Sequence, residues 1–116
     1  MNKLKLLAIA LCATIIPGAA AVADTWPSKP IRIVVTFAPG GTSDVLARSI
    51  APDLSKALGQ PVLVMNKPGG NSTIATQEVA KSAPDGYTIG LFISAHVINP
   101  YITKSLPYDS KKDFTP

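Results

Sequence analysis

Three apolar runs, each opening into a loop of small or polar residues and then into a helix-like or turn-rich segment, leave this sequence few architectures to adopt. The first, IRIVVTF at 31–37, is rich in β-branched residues and almost continuously apolar, as a strand covered on both faces is. The second lies at 62–65 and the third at 87–93. Between the first two, Leu46, Ala47, Ile50, Leu54, Ala57 and Leu58 fall near one face of a helix that starts at Ser43 and is stopped by Gly59-Gln60-Pro61. Residues 73–81 read as a second helix, and Ala83-Pro84-Asp85-Gly86 as a turn. Strand, helix, strand, helix, strand with short connections predicts an α/β fold, a βαβαβ lobe with a parallel sheet and right-handed crossovers. Pro52 predicts a kink in the first helix or a turn that ends early. Beyond Ala95 the chain reads as turn-rich, with Asn99-Pro100 and Leu106-Pro107-Tyr108-Asp109.

Residues 1–23 have the pattern of an export signal peptide. Lys3 and Lys5 supply the basic start, 6–16 an apolar stretch too short to span a bilayer, and Ala21-Val22-Ala23 a cleavage site before Asp24. The one cysteine, Cys12, falls inside that segment, so the mature chain 24–116 carries no thiol. Cleavage lowers the eleven basic residues to nine against seven acidic ones. Such a balance, with Lys and Arg scattered and not interleaved with aromatics, excludes a nucleic-acid surface. The mature part suffices for one small domain.

In a parallel sheet, ligands sit beyond the carboxyl ends of the strands, where all three loops leave. No Walker or dinucleotide motif occurs, no His, Cys or acidic cluster has metal-ligand spacing, and Gly41-Thr42-Ser43-Asp44 is not a nucleophile elbow. No catalytic residue, metal or cofactor is expected. What the residues support is a small anion held by backbone N–H groups at a helix start. In the first loop the candidates are Pro39, Gly40, Gly41, Thr42, Ser43 and Asp44, of which Thr42, Ser43 or Asp44 could instead cap the helix. Asp44 would repel an anion, so it is expected to order the loop or to meet a ligand's ammonium group. In the second loop Asn66 and Asn71 offer amide donors, and Ser72 or Thr73 could cap the next helix or touch a ligand. His96 reads as a hydrogen-bonded loop residue or a ligand contact.

Taken together, WPSKPIRIVVTFAPGGTSD, ALGQPVLVMNKPGG, APDGYTIG and INPYITKSLPYDSKKDF resemble the opening of the Bug/TctC family, the extracytoplasmic receptors of tripartite tricarboxylate transporters. The resemblance spans 26–116. It implies domain 1 of a type II periplasmic binding protein, with the second lobe absent and 24–116 forming the N-terminal part of lobe 1. It also implies a monomeric periplasmic receptor, not an enzyme, that binds a small carboxylate and delivers it to the membrane permease subunits. The resemblance strengthens the anion reading of the first loop. It makes Gly69, Gly70, Asn71, Ser72 and Thr73, with Ser94, Ala95 and His96, the other walls of the cleft. Asn71, Ser72 and Ala75 stand where the family favours glycine. The length implies either a fragment of a longer receptor or a truncated reading frame, for which a non-transporting exported remnant or an interaction module is the alternative function.

Overall fold

The computed structural model describes residues 25–116; the expected signal peptide and the cleavage site before Asp24 lie outside the described residues. The elements run β1 (Ile31–Val35), α1 (Thr42–Leu58), β2 (Val62–Asn66), a 3₁₀ turn (Gly70–Ser72), α2 (Thr73–Ala80), β3 (Thr88–Leu91) and α3 (Ser94–Ile102). The three strands form a parallel sheet in the order β2-β1-β3, so the most apolar run of the sequence is central. Register pairs Ile33 with Val64 and Ile89, and Val35 with Asn66 and Leu91, which brings all three strands to their carboxyl ends at one level.

Side chains alternate across the sheet. Ile33 and Val35 meet Ala47, with Leu54, Val62, Val64 and Leu91 packed against that cluster. Burying a side chain of this size contributes about 1.5–3 kcal/mol. Val34 points the other way and is fully buried. Helix α2 packs against β1 and β3 with Ala75 and Thr76 buried. The path from β1 out to β2 and back across to β3, made with right-handed crossovers, sets α1 and α2 on opposite faces. The lead-in is stapled to the turn before β3: the Trp26 indole N–H donates to the Asp85 carbonyl at 3.0 Å, and the Ser28 N–H donates to the Tyr87 hydroxyl at 2.7 Å.

Two prolines stand inside helices. Helix α1 runs past Pro52 to Leu58, so of the two expectations there the turn that ends early is overturned, and the helix ends, as expected, in a left-handed Gly59. Pro52 and Arg48 are both exposed, so water can serve the carbonyl that proline leaves without its helical partner. The segment after Ala95, expected to be turns, is the nine-residue helix α3 with Pro100 inside it. There proline frees the carbonyl of His96, and the Ser110 hydroxyl donates to it at 3.3 Å. A tertiary donor thus replaces the missing helical one, which no local pattern announces.

Candidate functional site

Because Val35, Asn66 and Leu91 are level, the chain leaves the sheet at three neighbouring points, and each exit leads into a helix. The first exit is built around Asp44. Its carboxylate is almost fully buried, accepts the Gly40 N–H at 2.9 Å, and is gripped by Arg48 Nε at 3.0 and 3.1 Å. Arg48, hydrogen-bonding across the pair, and then the Gly40 amide hold the Asp44 carboxyl at about 2, well below the usual carboxylate range. Arg48 Nη2 also donates to Asn66 Oδ1 at 3.1 Å, and Asn66 Nδ2 donates to the Phe37 carbonyl at 3.0 Å. One chain of hydrogen bonds therefore ties the loop at Phe37–Gly40 to the end of β2. It also answers the electrostatic objection to Asp44: its charge is matched by Arg48 and turned to ordering the loop. Asn66, expected as an amide donor for a ligand, is committed to this scaffold instead.

Neither Thr42 nor Ser43 caps α1. The N-cap is Gly41, with no side-chain hydrogen bond, and the first helical bond runs from the Val45 N–H to the Gly41 carbonyl at 3.0 Å. Gly40, at φ 85, makes the turn that brings the loop back over Asp44.

The second exit is wound the wrong way for most residues. Gly69, Gly70, Asn71 and Ser72 all have positive φ, at 126, 56, 49 and 72 degrees. A side chain at Gly69 would place its Cβ 2.7 Å from Ile74 Cδ1, which Ile74 can relieve by moving, so it is φ 126 that calls for glycine there. Asn71 is held from outside: its Nδ2 donates to Asn99 Oδ1 at 2.7 Å, and Asn99 Nδ2 donates back to the Asn71 carbonyl at 2.8 Å. Ser72 occupies the N-cap position of α2, but in the left-handed conformation it makes no capping bond. Its buried hydroxyl has no partner among the described residues, and neither has that of Thr36, which follows β1 directly.

The third exit enters α3 through Ile93, again with no side-chain cap. Ser94 is exposed and Ala95 buried. His96 is not a loop residue: it lies in the first turn of α3, its N–H donates to the Ile93 carbonyl at 2.9 Å, and its ring stacks on Phe92 at 4.5 Å. Tyr108 stacks at 6.0 Å, and Phe114 meets the imidazole edge-on at 4.9 Å.

Helix α1, α2 and α3 thus all begin at the same end of the sheet with no side-chain oxygen on their first-turn N–H groups. Backbone donors and the positive ends of helix dipoles gather there, while the one carboxylate among these starts is neutralised. That arrangement suits an anion. Among the described residues no group of three His, Cys, Asp or Glu side chains could hold a metal ion, and no helix is long and apolar enough to cross a membrane. Residues Thr36, Arg48 and Asn99 carry parts of this site that the sequence reading did not single out. Only Arg48 had a local signal, its helical i,i+4 spacing from Asp44. Concavities of about 700 and 740 Å³ lie away from the strand ends, against α3 and against β3, and neither is lined by 39–44 or 69–73.

Residues 46–116 match the family described as the tripartite tricarboxylate transporter family receptor, TctC. A UPF0065 protein of Bordetella bronchiseptica is 53% identical over 113 residues, covering 96% of this chain and 33% of its own length. Among solved structures, the periplasmic binding protein BugD superposes with a TM-score of 0.74 at 40% identity, over 78% of this chain and 30% of BugD. MatC from Rhodopseudomonas palustris, with bound malate, superposes with a TM-score of 0.73 at 38% identity, over 78% of this chain and 31% of MatC. The chain spans about a third of the length of these relatives.

Proposed function

The chain belongs to the TctC family of tripartite tricarboxylate transporter receptors, and from that premise we propose that it forms part of a periplasmic receptor for a small carboxylate. This family is one of solute receptors, not of enzymes. Its fold here is an α/β lobe of the periplasmic-binding-protein kind.

The observation that carries the reading is the convergence of three uncapped helix starts on the carboxyl end of the sheet. A carboxylate placed there can take first-turn N–H groups that no side chain caps, although those of Gly40, Gly41, Thr73 and His96 already have protein partners, and lies at the favourable end of each dipole, worth about 0.3–1 kcal/mol per helix at an exposed site. The proposed contacts are Pro39, Gly40, Gly41, Thr42, Ser43 and Asp44 in the first wall and Gly69, Gly70, Asn71, Ser72 and Thr73 in the second. Ser94, Ala95 and His96 form the third, with His96 acting as a packed wall because its N–H and ring are already engaged. The malate in MatC supports a small hydroxy- or dicarboxylate as the ligand class. The site is an open rim, as one wall of a cleft that a second lobe completes would be. In the whole receptor the loaded cleft would be read by membrane permease subunits.

Thr42→Pro tests the donors directly. Proline at the first helical position keeps the helix, since the extended Gly41 at ψ 167 suits a residue before proline, but it deletes one N–H at the centre of the proposed site. Malate titrated into the chain by calorimetry should bind the unsubstituted protein, and Thr42→Pro should weaken it about tenfold, the effect of about 1.4 kcal/mol. Equal affinity in both proteins would remove Thr42 from the site, and absence of heat with the unsubstituted protein would remove the carboxylate reading.

A further inference from the structure

Asp44 is the one acidic residue in the first turns of α1, α2 and α3, so a negative charge stands where the ligand's own carboxylate would lie. Its side chain is 5% exposed, and its carboxyl, held at about 2, stays ionised at neutral pH. The Gly40 N–H is bound to its Oδ2 at 2.9 Å, which sets that charge against the backbone of the first loop. Two carboxylates held side by side repel each other, so Asp44 by itself would turn an anion away.

Arg48 is the ion-pair partner that Asp44 has among the described residues. It lies one helical turn further on, where i,i+4 spacing brings the guanidinium to the carboxylate. Nε faces both oxygens, at 3.0 and 3.1 Å, while Nη2 is fixed by Asn66 Oδ1 at 3.1 Å. The planar fork thus spans two partners with different nitrogens, which holds the cation in place. The buried member of the pair is negative and the half-exposed member positive. Together they are neutral, and apart they would give the first wall opposite signs.

We propose that Arg48 is a specificity-determining residue of the carboxylate site: by cancelling the charge of Asp44 it lets the first wall accept an anion, and without it the same wall selects against one. This rests on the carboxylate reading above, and adds that the sign of the ligand is set from outside the loops, by a residue inside α1. A residue that only braced the loop would behave differently. Brace and charge part company at Asp44→Asn, which weakens the bonds to Arg48 but leaves the wall with a net positive charge.

Calorimetric titration of malate into the 116-residue chain and three variants, at neutral pH and low ionic strength, separates the two roles. Arg48→Gln, which keeps a donor for Asp44 but no charge, should weaken malate roughly tenfold. Asp44→Asn, which keeps an acceptor for the Gly40 N–H, should bind malate at least as tightly as the unsubstituted chain. The double variant, neutral at both positions, should recover most of the affinity lost in Arg48→Gln. Urea unfolding establishes that each variant is folded, and if Arg48→Gln is not, Asp44→Asn decides by the sign of its effect. Weaker malate binding by Asp44→Asn, unchanged binding by Arg48→Gln, or a double variant no better than Arg48→Gln would each overturn the proposal. An unsubstituted chain that gives no heat with malate would overturn the carboxylate reading as a whole, and this proposal with it, an outcome distinct from those three.

Discussion

Asn71 and Asn99, 28 positions apart in sequence, hold each other through two hydrogen bonds, one between their side-chain amides and one from Asn99 to the Asn71 backbone carbonyl. The pair joins the left-handed second loop to the middle of α3. Asn99 is almost completely buried, so its side chain relies on this pair for its hydrogen bonds.

Replacing Asn99 with Leu leaves the Asn71 amide and carbonyl without their partner, and a loss of about 2–3 kcal/mol in unfolding free energy is expected by urea denaturation. Asn71→Gly should cost much less, about 1 kcal/mol or under. It removes one bond but suits φ 49, and its carbonyl can still accept from Asn99.

Asp44 predicts an acid dependence of known sign. Its carboxyl is held at about 2 by Arg48 and the Gly40 amide, against about 3.9 in an unfolded chain. A depressed carboxyl stabilises the fold above the unfolded value, and that contribution is lost as pH falls through the folded one. The stability difference between the unsubstituted chain and Asp44→Asn should therefore be constant above about pH 5 and shrink between about pH 4 and pH 2. Thermal midpoints of both proteins across that range measure it. Asp85 and Asp109 are also lowered, chiefly by backbone N–H groups, but they are common to both proteins and cancel in the difference.

Gly90 sits under the Phe92 ring, where an added Cβ would clash with the ring carbons Cζ, Cε1 and Cε2. Gly90→Ala must push Phe92 out of its stack with His96 and its edge contact with Phe114. Overpacking of this kind is expected to cost about 1–3 kcal/mol, measured by denaturant unfolding.

Ser72 is the opposite case. It combines φ 72 with a buried, unpartnered hydroxyl, so Ser72→Gly removes both unfavourable features. An increase in stability of about 1 kcal/mol is expected. Malate affinity measured on the same variant shows whether that hydroxyl serves the ligand, since an affinity loss alongside the gain would place it at the site.

The strands and α1 were legible because local and global signals agree in them. The β-branched run 31–35 is the central, most buried strand, and Leu54 and Ala47 face it at helical spacing. Asparagine tolerates the left-handed region, which is the conformation Asn71 takes. Helix α3 was not. Asn99-Pro100 has the local signature of a turn, and the helix persists through Ser110, which serves the carbonyl proline leaves free, and through Asn99, whose side chain is taken by Asn71. Both partners are distant in sequence. The capping alternatives held open for Thr42 and Ser72 fail for a related reason. Each is a good capping residue by type, but the chain reaches α1 through Gly41 and reaches α2 in the left-handed region, where a serine side chain makes no cap.

The central claim is that backbone donors at three helix starts grip one carboxylate, and amide chemical-shift mapping of the chain during titration with malate tests it most directly. The account predicts saturable shifts at Gly40, Gly41, Thr42 and Ser43, at Gly70 to Thr73, and at Ser94 and Ala95, absent when dimethyl malate replaces the acid. Shifts scattered over surface lysines, or equal shifts with the uncharged ester, would contradict it.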